Sequence, residues 1–314
     1  MSDDGDRWQR ELIEKLATAA LREQRRARRW GIFWRLLFFV YLTVILLLVT
    51  DWRGAADGRK ERHTALVEIN GLIAPGTDAS AERINAALNA AFKDRQTRGV
   101  IVRINSPGGS PVQAQTIYEE IRRLRARYPD IPLYAVVEDL CASGGYYVAA
   151  AADRIFVARS SVLGSIGVRM DGFGLTGLMQ KLGIERRLLV SGENKAMLDP
   201  FLPLDERHRD YALGLMKEIH EHFIQAVREG RGTRLKDSPE IFSGLVWSGA
   251  RSIELGLADG FGSVDSVARD EIKAEDIVDF TQKESWPEKL ARRFGAGVTA
   301  ALLEAAARAA AGVR

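Results

Sequence analysis

A chain of 314 residues, 46% hydrophobic and 28% charged, can build one large domain or two ordinary ones, which excludes a disordered or collagen-like polymer. Its 45 Lys plus Arg against 42 Asp plus Glu leave a formal net charge of +3, too little over this length to point to nucleic acid. The single cysteine, Cys141, excludes an intramolecular disulfide and a cysteine-based zinc site, and it leaves the redox compartment open.

Residues 36–50 (LLFFVYLTVILLLVT) carry no charge, and Trp30 to Trp34 extend the run once Arg35 is admitted. At ~1.5 Å rise per residue the longer stretch spans roughly 31 Å, about one hydrocarbon core. Trp30, Trp34 and Trp52 sit where interfacial aromatics are expected, and Arg35 can bend its stem toward headgroups. A buried core helix is seldom apolar all round. A cleaved secretory signal is opposed by the length of the run and by the absence of a small-x-small site before Asp51. The sequence therefore predicts a transmembrane helix over 30–52. Arg22, Arg25, Arg26, Arg28 and Arg29 crowd its N-terminal flank, whereas Asp51, Arg53, Asp57, Arg59, Lys60, Glu61 and Arg62 mix on the other. The positive-inside rule then makes 1–29 a charged cytoplasmic segment and puts the bulk of the chain across the membrane.

A polar linker over 53–63 precedes a soluble domain over 64–281. Within it, strands are predicted at 64–69, 99–104 (GVIVRI), 133–137 and 154–157. Between them lie helices at 79–94, with Ile84, Ala87, Leu88 and Ala91 on one face, at 111–127, and in a small-residue stretch through Ala152. Strands alternating with helices argue for an α/β fold with parallel strands, whose active sites gather at the loops leaving the strand C-termini. The stretch after 157 reads as mainly helical: a long helix within 203–229 capped by Asp205, then another at 248–257 ended by Gly256 and the turn-rich GLADGFG. Residues 282–314 form an Ala-rich tail with Leu290, Phe294, Val298, Ala301, Leu302 and Ala305 on one stripe. The stripe predicts an amphipathic helix for a partner or bilayer, or else a surface helix that docks on its own domain or frays.

Two of the predicted loops carry chemistry. Asn105-Ser106-Pro107-Gly108-Gly109-Ser110 leaves a buried strand and enters a helix, so its glycines let backbone N–H groups face a pocket; the alternative is an ordinary turn. Neither dinucleotide nor P-loop spacing is met. Cys141-Ala142-Ser143-Gly144-Gly145-Tyr146-Tyr147 also joins strand to helix. It presents the Ser143 hydroxyl beside the Gly144 N–H, an arrangement suited to a nucleophile, with a helix N-cap serine as the alternative. Cys141, between Leu140 and Ala142, reads as a buried structural thiol. A serine nucleophile needs a base. His63 falls in the linker, and His208, His220 and His222 fall at the start of or within the long helix; they read as surface histidines, the last two failing to share a face for metal. Lysine remains: Lys195, in Ser191-Gly192-Glu193-Asn194-Lys195, precedes a Met197-Leu198-Asp199-Pro200-Phe201 stretch able to bury it and keep its amine neutral, or else it is an exposed loop lysine.

The ordered set NSPGGS, ASGGYY, GSIGV and SGENKAMLDPF, with the later GLADGFG, resembles the bacterial signal peptide peptidase A family of membrane-anchored serine-lysine peptidases across about 64–267. The resemblance implies a Clp/crotonase-like ββα superhelical α/β fold behind an N-terminal transmembrane helix. It makes Ser143 the nucleophile, Lys195 the general base and Ser165 the hydroxyl that orients the lysine. Gly109 and Gly144 become the oxyanion hole, and Gly108, Gly164, Ile166 and Gly167 the substrate-binding backbone. It implies no metal and no cofactor. The implied partners are further copies of this chain, in an octameric ring or dome where serine and lysine meet across subunits, apolar peptides such as remnant signal peptides or misfolded membrane segments, and the lipid bilayer; nucleic acid is not among them. The implied location is the bacterial inner membrane, single-pass, with the catalytic domain periplasmic. A Clp-type Ser-His-Asp peptidase is disfavoured because no histidine follows Ser143 before His208, and an acyl-CoA crotonase because it would not need the membrane span and serine-lysine set. A non-catalytic oligomeric scaffold is opposed by the complete set Ser143, Ser165 and Lys195.

Overall fold

The computed structural model describes residues 26, 28–46 and 62–282. The chain divides into two units, one of residues 1–59 with 284–314 and one of residues 60–283. In the first, helix α1 (Arg28–Leu46) is 19 residues long with a mean hydropathy of 1.5 and apolar side chains exposed along its length, as befits a candidate membrane span. The end of the predicted span at 47–52, most of the segment 1–29 and nearly all of the tail 282–314 lie outside the described residues.

The second unit is an α/β domain around an eight-stranded sheet. In chain order its elements are β1 (His63–Asn70), α2 (Ala81–Lys93), β2 (Thr97–Ser106), α3 (Pro111–Arg127), β3 (Leu133–Ala142), α4 (Gly144–Ala149), β4 (Arg154–Val157), β5 (Val162–Gly164), α5 (Thr176–Leu182), α6 (Glu206–Arg231), β6 (Val246–Ser248), α7 (Gly249–Glu254), β7 (Gly260–Phe261), α8 (Val264–Val267) and β8 (Ile277–Asp279). The strand order is β6-β5-β3-β2-β1-β8, with β4 beside β3 and β7 beside β4. Every pairing is parallel except β5 with β6.

Alternation along the strands sorts the sheet's two faces. Ala65, Val67 and Ile69, Val100, Val102 and Ile104, and Leu133, Ala135 and Val137 point into the main core under α2, α3 and α4. Leu66, Ile101, Val136 and Phe156 point the other way, onto Val267 of α8 and Ala268 and Ile272 of the π-helical turn after it. The predicted helix faces hold: Ile84, Ala87, Leu88 and Ala91 of α2 are buried, and the Asp205 carboxylate caps α6 by accepting the Arg207 N–H at 2.8 Å.

Three expectations are corrected. His63 is not linker: it opens β1, is 2% exposed and stacks on Phe280, so the domain's first strand starts with a ring in the core. The small-residue helix closes at Ala149 because Ala151 and Ala152 turn back through bonds to Val148 and Ala149. The stretch after β4 is not mainly helical, since β5 and β6 pair there and a long arm with only the short α5 separates β5 from α6. Three-residue strands have too few positions for any periodicity to register.

Strand β3 sets the geometry of both predicted chemical loops. Its first half, Tyr134–Val137, pairs with β4, and its last three residues, Leu140–Ala142, pair with β5. On its other side the register with β2 shifts between Ile104 and Ser106. The sheet is irregular at this point, and the two loops leave it here.

Candidate active site

Ser143 follows directly from the end of β3 and precedes the first residue of α4. Its backbone is held at φ 51°, ψ −122° by its own N–H donating to the Gly164 carbonyl at 2.8 Å and its carbonyl accepting from Tyr147 at 2.9 Å. A non-glycine residue in that region costs on the order of 1–3 kcal/mol and persists only where the surroundings impose it. Its side chain makes no capping bond to α4, so the N-cap alternative fails, whereas Ser110 does cap α3 by accepting from Gln113. Among the described residues only Ser143, Ser165, Leu198 and Lys273 combine a side chain with positive φ, and the first three lie in the motif segments ASGGYY, GSIGV and SGENKAMLDPF.

Register brings Ser165 alongside. Ala142 pairs with Gly164, so Ser143 and Ser165 are each the next residue out of two adjacent parallel strands, which lie about 4.8 Å apart. Ser165, half-buried with φ 52°, donates its N–H to the Leu245 carbonyl at 2.7 Å.

The Asn105–Ser110 loop forms the opposite wall. The buried Ser106 hydroxyl ties it down, donating to the Gly71 carbonyl at 2.6 Å and accepting the Gly108 N–H at 3.1 Å. Ile73 bridges it from outside, donating to Gly108 at 2.9 Å and accepting from Ser110 at 2.8 Å. The space admits only glycine at the two central positions. A Cβ on Gly108, at φ 98°, would stand 2.6 Å from the Gly144 nitrogen, and one on Gly109 would stand 2.1 Å from the Ile73 carbonyl oxygen. This close approach leaves the N–H groups of Gly109 and Gly144 near each other, and among the described residues neither donates to a protein acceptor. Two unpaired N–H groups beside a serine hydroxyl are the elements of an oxyanion site.

The pocket at Ser143 is lined by Gly109, Pro111, Ala114, Gly144, Tyr147, Gly167, Val168, Ile219 and Phe223. None of these side chains is charged. Tyr147 is the one with a titratable group, and burial pushes its phenol up to about 12, which keeps it neutral. Its ring stacks on Phe223 with centroids 4.8 Å apart and meets Tyr118 edge-on at 5.3 Å, so α3, α4 and α6 brace the floor together. Cys141, directly beneath, is fully buried, and burial raises its thiol, as expected of a structural cysteine.

Of the four residues expected to contact substrate through their backbone, Gly167 lines the pocket. Gly108 backs the Gly144 N–H, Gly164 is the β5 partner of Ala142, and Ile166 is fully buried in the core. Lys195 is elsewhere: it lies exposed in a turn, its N–H bonded to the Gly192 carbonyl at 3.1 Å, and it is not among the residues that line the Ser143 pocket. The residues after it do not bury it, because Leu198 and Phe201 are themselves exposed. The turn is nonetheless organised. Arg186 hydrogen-bonds Asp199 and holds its carboxyl below the ordinary carboxylate range, and His208 Nε2 donates to the Asn194 side-chain oxygen at 3.1 Å. His208 is thus a brace of this turn, and His220 is half-buried and bonded to the Ile166 carbonyl; sequence alone reads both as surface residues.

Residues 125–279 match the model of "Peptidase family S49". A Brucella melitensis protein named "Na(+)/H(+) antiporter NhaA" is 41% identical over 214 residues, which are 67% of this chain and 29% of that protein. An Enterococcus faecium protein bearing the name signal peptide peptidase SppA is 29% identical over 227 residues, covering 70% of this chain and 65% of the relative. "Protease 4" of Haemophilus influenzae is 28% identical over 222 residues, 69% of this chain and 35% of its own length. The chain therefore spans less than a third of the Brucella protein and less than two thirds of the Enterococcus one, and the antiporter name describes a protein of which 29% is aligned.

Proposed function

We propose that this chain, a member of peptidase family S49, is a membrane-anchored serine endopeptidase in which Ser143 is the nucleophile and Lys195 the base. The observation that carries this reading is the strained Ser143 turn, with an uncapped hydroxyl next to the unpaired N–H groups of Gly109 and Gly144 in an uncharged pocket.

In the proposed reaction the neutral Lys195 amine takes the Ser143 proton as Oγ bonds to the substrate carbonyl carbon. The carbonyl oxygen becomes an oxyanion held by the two glycine N–H groups. Collapse breaks the peptide C–N bond and the lysine returns its proton to the leaving amine. Water, deprotonated by the same lysine, then adds to the acyl-enzyme; collapse breaks the acyl C–Oγ bond, and the lysine returns that proton to Ser143 Oγ. Ser165, next to Ser143 by strand register, orients the amine.

Lys195 is exposed within one chain, and a neutral amine requires desolvation. We propose that a neighbouring copy supplies it: the arm bearing Lys195 docks on the next protomer of a ring, delivering its lysine to that protomer's Ser143. The arm's composition supports this, for Phe173, Leu182, Ile184, Leu189 and Val190 all lie exposed, and removing apolar surface of that kind from water favours association. An uncharged pocket favours apolar side chains, since an ionic one would lose its hydration unpaired. With α1 as anchor and the basic flank inside, the substrates proposed are remnant signal peptides and other apolar segments on the periplasmic side of the inner membrane.

The test uses the full chain in detergent with a fluorogenic apolar peptide. Ser143→Ala and Lys195→Ala should each lower kcat on the order of 10³-fold or more with assembly intact. A Lys195→Ala form with parent activity would remove the lysine from the mechanism.

A further inference from the structure

We infer that His220 is a positioning residue for this reaction, holding the loop 165–168 in the wall of the Ser143 pocket through the backbone of Ile166. The inference rests on the proposed role of Ser143 as the nucleophile of this pocket.

The loop leaves β5 at Gly164 and brings Gly167 and Val168 into the pocket lining within four residues. Ser165 adopts φ 52°, a conformation a side-chain-bearing residue leaves unless it is tied. One tie is the Ser165 N–H to the Leu245 carbonyl at 2.7 Å, ahead of β6. Past Ser165 the chain has to be fixed from the other side, and there His220 Nε2 lies 3.0 Å from the Ile166 carbonyl oxygen. A carbonyl can only accept, so Nε2 carries the proton. Ile166 is fully buried, and among the described residues His220 is the one donor to its carbonyl, so without the imidazole that oxygen would lack a protein partner.

The direction of the tie is what links it to the chemistry. Residues 167 and 168, directly beyond Ile166, line the pocket, and so do Ile219 and Phe223, which flank His220 on α6. Helix α6 therefore supplies part of the pocket lining and, from His220, a hydrogen bond that fixes the loop carrying Gly167 and Val168. His220 itself is not among the lining residues, so it acts through Ile166 and not on substrate.

The experiment compares the full-length assembled enzyme with His220→Leu, which keeps bulk and loses the donor, and His220→Gln, which keeps an N–H donor. The readouts are kcat and KM on the apolar peptide, the rate of Ser143 labelling by a fluorophosphonate, oligomer size and melting temperature. Loss of one buried hydrogen bond predicts a fall in kcat of about tenfold for His220→Leu, with KM changed less than about twofold, and recovery to within about threefold of parent in His220→Gln. Parent-like kcat in His220→Leu would overturn the inference. So would an equal fall in both variants accompanied by lower melting temperature or lost assembly, because that is the mark of a purely structural histidine. Ser165→Ala separates the two levels of argument: if it is silent while His220→Leu still loses kcat, the role given to Ser165 fails and that of His220, through the pocket wall, stands.

Discussion

Ser143 sits between a strand hydrogen-bonded along both sides and a six-residue helix of which every residue is buried. Lys195 sits on an arm where residues 181–195 are exposed apart from the half-buried Leu188, and its neighbours are held by a few surface ties such as Arg186 to Asp199. The first environment is complete within one chain: backbone strain, oxyanion donors and pocket wall are all fixed by local packing. The second exposes large apolar side chains and leaves its lysine in water. On the proposed mechanism the contrast has a simple reading: one protomer builds the nucleophile and acyl pocket, and the base becomes competent only when another surface covers the arm.

The largest effects are expected where the rigid half is disturbed. In Gly108→Ala the new methyl would crowd the Gly144 nitrogen, displacing the proposed oxyanion donor. A kcat loss of about 10²–10³-fold is expected, measured on the apolar peptide with assembly checked by light scattering. A parent-like kcat would mean that the Gly144 N–H has no part in the reaction.

Next comes the brace behind the rigid half. The fully buried Arg231 forks onto Asp259 at 2.8 and 2.9 Å and donates to the Gly256 carbonyl, tying α6 to the GLADGFG turn and to β4 through Ile155. Asp259→Asn leaves a buried guanidinium poorly paired and should lower unfolding stability by about 3–5 kcal/mol in denaturant titration. Burial opposes ionisation of this carboxyl, but the Arg231 guanidinium, together with the Ile155 N–H and the Arg234 charge, more than offsets it and holds the group below the ordinary carboxylate range. A carboxylate depressed in the folded state contributes its stability above its unfolded value, near ~4, and loses it as pH falls through the folded value. The parent should therefore lose stability below about pH 4 with a component that Asp259→Asn lacks.

Charging the arm sharpens the comparison from the other side. Phe173→Asp with Leu189→Asp should dissociate the oligomer and abolish turnover while circular dichroism stays at the parent value, since both side chains are exposed in the single chain. Unaltered oligomer size and turnover would show that the arm serves no interface. The smallest effect is expected at Ser110→Ala, where loss of the α3 cap should cost about 1 kcal/mol and leave catalysis within a few-fold of parent.

Much of this architecture was legible in the sequence where a rule acts locally. The short apolar runs of β1, β2 and β3, the apolar stripe of α2, the Asp205 cap and the strand-to-helix position of Ser143 all follow from neighbouring residues. The short β5 and β6 were not legible, because a three-residue strand is defined by its partner and not by its own pattern. His63 escaped because a polar linker runs into it, and only Phe280, at the far end of the domain, shows why the ring is buried. His220 escaped for a similar reason: its partner is a backbone carbonyl 54 residues away, which no side-chain motif records. The exposure of Lys195 was equally hidden, since an apolar stretch such as 197–201 reads the same whether it covers its own lysine or faces another chain.

The account turns on serine and lysine acting from different copies, and complementation tests it most directly. Ser143→Ala and Lys195→Ala chains, each inactive alone, are co-expressed at equal levels, purified as mixed assemblies through two different tags, and assayed on the apolar peptide. If each site takes its serine from one protomer and its lysine from the next, random mixing restores about a quarter of the parent sites, and turnover should return to that level. A mixed assembly of parent size that stays as inactive as its components would contradict the account and place both residues of each site in a single chain.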